Sequence, residues 1–114
     1  MVDANILIMG LTFKEDCPDI RNSRVVEMAK GLEEYQANVD IYDPWVEPKN
    51  AEQEYGLEIL SNPEPKQYDA VIIAVAHECF KEMGVQKIRG LCKKNHVIFD
   101  VKYLFPLTEN LERL

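Results

Sequence analysis

The sequence has few cysteines, and none of them is spaced for a shared site. Cys17, Cys79 and Cys92 are the only three, and no two of them form a C-x-x-C pair. A disulfide framework and a structural zinc site are therefore not expected. We predict that the protein has no metal site and that it is a reduced, cytoplasmic protein with ordinary thiols.

Long apolar runs and an excess of basic residues are also absent. The 114 residues include 13 Lys and Arg against 20 Asp and Glu, a formal net charge of −7. This balance argues against a general nucleic-acid or membrane-surface binder. No apolar run is long enough to span a membrane, and the first residues do not resemble a signal peptide. The length suits one compact domain, so we assign residues 1–114 to a single domain.

Glycine is missing where a dinucleotide-binding fold would need it. The apolar run "NILIMGL" predicts a buried strand of a parallel sheet. The stretch that begins there, "GLTFKEDCPDIRNSR", contains Gly10 as its one glycine, so the glycine fingerprint that approaches a pyrophosphate is absent. Asp43 follows a second predicted strand, where a ribose-binding acid would lie in such a fold. Because the fingerprint is absent and a proline follows, we interpret Asp43 as a turn residue.

Strand and helix patterns alternate along the whole chain. The predicted strands are 5–11, 39–42, a marginal edge strand in "LEIL", 70–75 and 97–101. There are three predicted helices: one capped by Ser23 and reaching about residue 35, a short one closed by Gly56, and one over 79–92 interrupted by Gly84 and Gly90. The alternation predicts an α/β fold, a Rossmann-like doubly wound parallel sheet in three layers. Ligands of such sheets bind outside the carboxyl ends of the strands. We therefore expect 10–14, Asp43, 76–77 and 100–102 to share one edge.

Three cations fall on or near that predicted edge. Lys14 and Lys102 lie on it, and Arg21 lies on the nearby loop. A helix N-terminus favours anions, so these cations do not serve the helix dipole, and a phosphate or carboxylate ligand would explain them. The alternative is that Lys14 and Arg21 form solvated ion pairs with neighbouring acidic residues.

One histidine and two thiols near the edge are candidate catalytic groups. His77 follows the strongest strand pattern, but the sequence places no acid or nucleophile beside it, so a capping or hydrogen-bonded role is expected. Cys79 lies at the start of a predicted helix, a position that mildly activates a thiol, yet no base is placed near it. The same reasoning makes a nucleophilic role for Cys17 improbable. We assign no catalytic residue to this chain.

Four ordered motifs resemble the C-terminal domain of the UDP-sugar 6-dehydrogenases, which are the UDP-glucose, UDP-N-acetylhexosamine and GDP-mannose dehydrogenases. These motifs are Phe13-Lys14 with Asp19-Ile20-Arg21-Asn22-Ser23, "IYDP" at 41–44, "AVAHECF" at 74–80 and "DVKYLFP" at 100–106. The resemblance covers nearly the whole chain. It implies a Rossmann-like domain that mainly binds the UDP-sugar, while an N-terminal domain carries the NAD fingerprint and a middle segment carries the thiol nucleophile.

The resemblance also implies roles for particular residues. Phe13 and Lys14 would contact the UDP-sugar, Lys102 would contact the sugar or its new carboxylate, and Arg21 would reach NAD across the domain interface. The C6 alcohol would be oxidised twice to the acid, through a thiohemiacetal and a thioester, with two NAD, in polysaccharide biosynthesis. The motifs look more like the members that act on UDP-N-acetylhexosamines than those that act on UDP-glucose.

The chain itself lacks the NAD fingerprint and a cysteine of the family's catalytic type. We therefore expect a C-terminal domain that is inactive alone. Its partners would be the UDP-sugar and the N-terminal and middle domains of the same enzyme, in a homo-oligomer, with no nucleic acid and no membrane. Two alternatives stay open: a stand-alone flavodoxin-like receiver domain, and a structural or dimerising module without catalysis.

Overall fold

The structure, a computed structural model, describes residues 4–12, 14, 16, 18–20 and 23–100. Its elements in chain order are β1 (Asn5–Met9), α1 (Val25–Glu34), β2 (Asn38–Tyr42), α2 (Pro48–Tyr55), β3 (Ile59–Leu60), β4 (Tyr68–Ile73), α3 (Glu78–Met83), α4 (Val85–Arg89) and β5 (Cys92–Asp100). Among the described helices, none combines the length and the hydropathy needed to cross a bilayer. The predicted ligand contacts Phe13, Arg21 and Lys102, together with Cys17, lie outside the described residues.

The five strands form one parallel sheet in the order β3-β2-β1-β4-β5. Ile8 of β1 lies opposite Ile41 of β2 on one side and Ile72 of β4 on the other. The chain moves outward from β1 to β3 and then returns to place β4 on the other side of β1. The strand order therefore reverses between β1 and β4, and this is where a ligand crevice is expected.

The core lies in two layers, one on each face of the sheet, because successive side chains of a strand point to opposite faces. Ile8 faces the layer built with α1 and α2, which also contains Val26, Ala29, Ile41, Ala51 and Ile59. Leu7 and Met9 face the layer built with α3 and α4, which also contains Val71, Ile73, Phe80, Val85 and Ile88. The predicted three-layer, Rossmann-like doubly wound fold is confirmed.

Several element boundaries differ from the sequence prediction. Strand β1 ends at Met9 rather than at residue 11, β4 spans Tyr68–Ile73 rather than 70–75, and β5 begins at Cys92 rather than at residue 97. The prediction of helix as far as residue 92 is wrong, because Cys92 pairs with Tyr68 in the sheet while the polar residues after it point into solvent. Sheet pairing therefore overrides the weak local pattern there. The left-handed Gly56 (φ +67°) ends α2, as predicted.

Ser23 links the start of α1 to the end of β1. Its hydroxyl donates to the carbonyl oxygen of Leu11 (2.6 Å) and accepts the N–H of Val25 (3.3 Å). The residue at the N-cap position is Arg24, which makes no side-chain capping bond. Ser23 thus serves the first helical residue, as the sequence suggested, from one position further upstream, and it holds the helix against the edge of the sheet.

Candidate functional site

Asp43 is the anchor of the carboxyl edge of the sheet. It directly follows β2, and its side chain is fully buried. One carboxylate oxygen, Oδ2, accepts the N–H groups of Leu11 (2.7 Å) and Thr12 (3.2 Å), while Oδ1 accepts the N–H of Trp45 (2.9 Å). The bond to Trp45 forms the turn that the sequence predicted. The other two bonds fix the backbone that leaves β1.

His77, which follows β4, contacts the same carboxylate from the other side of the point where the strand order reverses. Its imidazole is fully buried just after β4, and Nε2 lies 2.9 Å from Oδ2 of Asp43. Nδ1 accepts the N–H of Asp16 at 2.8 Å. The hydrogen-bonded role expected for His77 is confirmed. The sequence alone placed no acid beside it, and the parallel pairing of β1 with both β2 and β4 brings Asp43 to the ring.

These partners define the protonation pattern of the imidazole. A backbone N–H can only donate, so Nδ1 of His77 must present a lone pair to Asp16. The ring proton therefore lies on Nε2 and is donated to the Asp43 carboxylate. The assignment follows from the partners rather than from an observed hydrogen. The pair is thus a neutral histidine and an aspartate anion.

The pKa of Asp43 reflects a balance between burial and hydrogen bonding. Burial alone would raise this pKa, but the hydrogen bond from His77 and those from the N–H groups of Leu11 and Trp45 favour the anion. The net result is a pKa below the ordinary value of 3.8. A buried carboxylate at this position is therefore ionised at neutral pH, because its neighbours replace the water that it loses.

The crevice between β1 and β4 does not fit the pyrophosphate of a dinucleotide. Gly10 has φ +106°, and a Cβ on it would lie 2.6 Å from Cβ of Val75, so the space is filled by protein. The N–H groups of Leu11 and Thr12, which a phosphate would need, already donate to Asp43. Asp43 is itself fully engaged and is not available to a ribose. The residues here therefore do not form an NAD site of the usual kind.

Lys14 is the one predicted ligand contact among the described residues. It is exposed, on the segment between β1 and α1 that Asp43 and His77 hold in place. The carbonyl oxygen of Lys14 accepts the hydroxyl of Thr12 at 2.7 Å. The predicted meeting of residues 10–14, Asp43 and 76–77 at one edge is therefore confirmed for the described residues. Asp100 closes β5 and is fully buried.

The thiol near the edge is not activated. Burial, followed by the negative charges of Asp43 and Asp16, raises the pKa of Cys79 above its ordinary value. The N–H groups at the start of α3 do favour the thiolate, as the sequence argument expected, but burial and the two carboxylates outweigh them, so the net activation does not occur. The described residues contain no group of three or more His, Cys, Asp or Glu side chains that could hold a metal ion.

Sequence reasoning missed Thr12 and Asp16 as parts of the site. Thr12 is buried, with its hydroxyl 3.2 Å from Nε2 of His77, and Asp16 accepts the N–H of Glu78 at 2.9 Å. Asp16 also adopts a left-handed backbone (φ +56°), which aspartate tolerates better than most residues. The available signal was the position of Thr12 directly after the predicted buried strand 5–11, where a polar residue needs partners.

Comparisons with known proteins identify relatives over most of the chain. Residues 7–106 match the model of the UDP-glucose/GDP-mannose dehydrogenase family, UDP binding domain. The chain is 46% identical over 111 residues to the UDP-N-acetyl-D-glucosamine 6-dehydrogenase of Salmonella typhi, covering 97% of this chain and 26% of that protein. It is 50% identical over 101 residues to the UDP-N-acetyl-D-glucosamine 6-dehydrogenase of Pseudomonas aeruginosa, covering 89% and 24%.

Solved structures agree with the sequence comparison. A UDP-glucose dehydrogenase from the archaeon Pyrobaculum islandicum aligns with a TM-score of 0.75 at 27% identity, over 100% of this chain and 26% of that one. The UDP-N-acetyl-mannosamine dehydrogenase Cap5O from S. aureus aligns with a TM-score of 0.69 at 26% identity, over 91% and 23%. The chain spans about a quarter of the length of these relatives.

Proposed function

The chain belongs to the UDP-glucose/GDP-mannose dehydrogenase family, as its UDP binding domain, and we propose that it binds the UDP-sugar for a nucleotide-sugar 6-dehydrogenase. Residues 1–114 would form the C-terminal domain of a larger enzyme of polysaccharide biosynthesis. The substrate class is a UDP-N-acetylhexosamine, in line with the two relatives at 46% and 50% identity, with UDP-glucose as the second choice. We propose a homo-oligomer for the whole enzyme.

The observation that carries the proposal is the edge that holds Lys14. The backbone N–H groups of Thr12 and Asp16, on either side of Lys14, are held by buried partners, and Lys14 is exposed for a phosphate. A lysine on a fixed backbone can form a charge-assisted bond to a diphosphate without first ordering a loop. Phe13 and Lys102 are proposed to complete the contacts to the UDP-sugar, and Arg21 is proposed to reach NAD across the domain interface.

The misfit of the crevice to a pyrophosphate supports an NAD site elsewhere in the whole enzyme. Oxidation of a primary alcohol to a carboxylate removes four electrons, so one alcohol and one water with two NAD⁺ give one carboxylate, two NADH and three protons. The residues described here contribute binding and orientation to that reaction. Neither Asp43 nor His77 is available to it as a free acid or base, since both are engaged with protein groups.

The stand-alone receiver domain loses its support. A flavodoxin-like sheet has the strand order 2-1-3-4-5, whereas this sheet has the order 3-2-1-4-5. The chain after β1 also begins with Gly10 and Leu11, both buried, where a receiver domain would need acidic side chains. A purely structural or dimerising module is not favoured either, because the match to the UDP binding domain covers residues 7–106.

The first test is a calorimetric titration of the purified chain with UDP. We expect weak binding of UDP, weaker binding of ADP, and a loss of about tenfold in UDP affinity for Lys14→Gln, since one charge-assisted hydrogen bond is removed. Lys30→Gln, which removes the same charge from the exposed side of α1, is the matched control and should bind UDP as the wild type does. Equal affinities for UDP and ADP, unchanged in Lys14→Gln, would contradict the proposal.

A second test asks whether the chain alone turns over. We expect no NADH from NAD⁺ with any UDP-N-acetylhexosamine or with UDP-glucose, because the described residues of the crevice leave no place for the pyrophosphate and so do not hold the nicotinamide within about 3–3.5 Å of the reacting carbon. Absorbance at the NADH band, compared with a reaction lacking sugar nucleotide, measures this. NADH production by the purified chain would overturn both the binding-domain proposal and the proposed roles of Lys14, Arg21 and Lys102.

A further inference from the structure

Both ring nitrogens of His77 contact the segment that carries Lys14, one on each side of that lysine. We propose that His77 is a positioning residue, which fixes the backbone around Lys14 and so presents the ammonium group to the ligand. The structural part of this inference stands on the contacts alone. Its consequence for UDP rests on the proposed function.

The contact before Lys14 runs through Thr12. The Thr12 hydroxyl donates its proton to the carbonyl oxygen of Lys14 (2.7 Å), so its oxygen can only accept from His77 Nε2–H, which lies 3.2 Å away. The same N–H points at Asp43 (2.9 Å), whose carboxylate also holds the N–H of Thr12. Thr12 is therefore fixed by its hydroxyl and by its backbone at once.

The contact after Lys14 runs through Asp16. Its N–H donates to Nδ1 of His77 (2.8 Å), and its carboxylate accepts the N–H of Glu78 (2.9 Å). These two bonds tie Asp16 to consecutive residues at the start of α3. The bond from the Glu78 N–H also gives α3 the side-chain cap that His77, at its N-cap position, does not provide. The segment is thus fastened on both sides of Lys14 to one imidazole.

The ring is held so that it cannot exchange these partners. Phe80 meets it edge-on with ring centroids 5.2 Å apart, and Trp45 lies 6.1 Å away at a 30° tilt. The buried Asp43 carboxylate keeps the ring proton on Nε2, which leaves Nδ1 free to accept from Asp16. Packing sets where the ring lies, and the carboxylate sets which nitrogen donates. Both are needed for the two contacts around Lys14.

The first experiment needs no ligand. Long-range proton–nitrogen NMR spectra of the chain at neutral pH should show His77 protonated on Nε2 and unprotonated on Nδ1. Amide exchange of Asp16 should be slow in the wild type and at least tenfold faster in His77→Phe, which keeps a ring and removes both nitrogens. His77→Asn, whose side-chain oxygen can replace Nδ1, should restore most of the protection. A proton on Nδ1, or unchanged Asp16 exchange in His77→Phe, would overturn the inference.

The second experiment measures affinity for UDP. We expect His77→Phe to bind UDP about tenfold more weakly and His77→Asn to lie within about threefold of the wild type, because only the latter can still hold Asp16. His96→Asn, at the other histidine of the chain, is the control and should bind as the wild type does. Circular dichroism establishes that each variant is folded. If His77→Phe does not fold, the inference is tested by the tautomer of the wild type and by comparing His77→Asn with His77→Gln. The Gln side chain replaces Nε2 and leaves the Asp16 N–H without an acceptor, so His77→Gln should bind UDP more weakly than His77→Asn does.

The two proposals fail in different ways. If the wild-type chain binds no UDP while Asp16 exchange and the tautomer are as expected, the proposed function is wrong and the positioning of the segment by His77 stands. If UDP binds in a manner that depends on Lys14 but is insensitive to His77→Phe, the ligand assignment stands and the positioning role is wrong.

Discussion

Replacing Gly10 by alanine is expected to lower the free energy of unfolding by about 2–4 kcal/mol. Gly10 has φ +106°, a conformation that costs a residue with a Cβ about 1–2 kcal/mol, and the new methyl group would lie 2.6 Å from Cβ of Val75. The N–H of Gly10 donates to the carbonyl oxygen of Tyr42 (2.9 Å), so the backbone cannot rotate away without losing that bond. Strain and overpacking therefore add.

Urea unfolding of the variant and the wild type measures this effect. Gly31→Ala is the matched control, because Gly31 lies inside α1 and nothing lies within 4 Å of the Cβ that the substitution adds. That variant should be more stable than the wild type by about 0.5–1 kcal/mol, the usual advantage of alanine in a helix. Similar free energies for Gly10→Ala and the wild type would show that β1 and β4 are not in close contact at this point.

The architecture could be predicted from the sequence because its signals are local and repeated. The apolar runs of β1 and β4 and the helix between β1 and β2 are characteristic of buried parallel strands with crossovers. The edge strand β3 and the end of α2 at Gly56 were also found, the second because a left-handed glycine closes a helix for a steric reason. Element type followed from periodicity, which does not depend on tertiary contacts.

The start of β5 could not be predicted in this way. The polar residues that follow Cys92 have no strand periodicity of their own, and they are in the sheet because Cys92 pairs with Tyr68 across a register irregularity. A bulge of this kind is a property of two strands together. A single stretch of sequence does not contain it.

The candidate site shows the same division. The sequence placed Asp43 and His77 on one edge, since each follows a strand of a parallel sheet. It did not predict that they touch at 2.9 Å, or that the chain after β1 brings Thr12 and Asp16 to the same imidazole, because these contacts join segments that are far apart in sequence. The interpretation of Asp43 as a turn residue described its bond to Trp45 and left out its three distant partners, Leu11, Thr12 and His77.

Replacing Asp43 by asparagine should lower the free energy of unfolding at neutral pH by about 2–3 kcal/mol. The amide has one oxygen where the carboxylate had two. If the amide oxygen accepts from Leu11, Thr12 and His77, the NH₂ group lies against the N–H of Trp45. Two buried donors then face each other. The remaining bonds also weaken, because a neutral acceptor replaces an anion. Denaturant unfolding at pH 7 measures the loss.

The same substitution should remove part of the acid sensitivity of the fold. Since the pKa of Asp43 is lower in the folded chain than its ordinary value of 3.8, its contribution to stability is fully present above that value and is lost as the pH falls through the folded pKa. Asparagine does not titrate. The difference in unfolding free energy between the wild type and Asp43→Asn should therefore be constant from about pH 5 to 7 and should shrink below about pH 4.

Asp69→Asn separates this effect from that of a carboxylate at the surface. Asp69 also has a lowered pKa, through the N–H of Asn5 and through Lys93, but its side chain is 36% exposed to solvent. Solvent screens such interactions, so Asp69→Asn should change the loss of unfolding free energy at acid pH (the acid limb) much less than Asp43→Asn does. If the two variants shift the acid limb equally, or if the difference between the wild type and Asp43→Asn persists unchanged at pH 3, Asp43 is not the buried anion that joins the ends of β1, β2 and β4. Another group would then have to hold the backbone N–H groups next to Lys14.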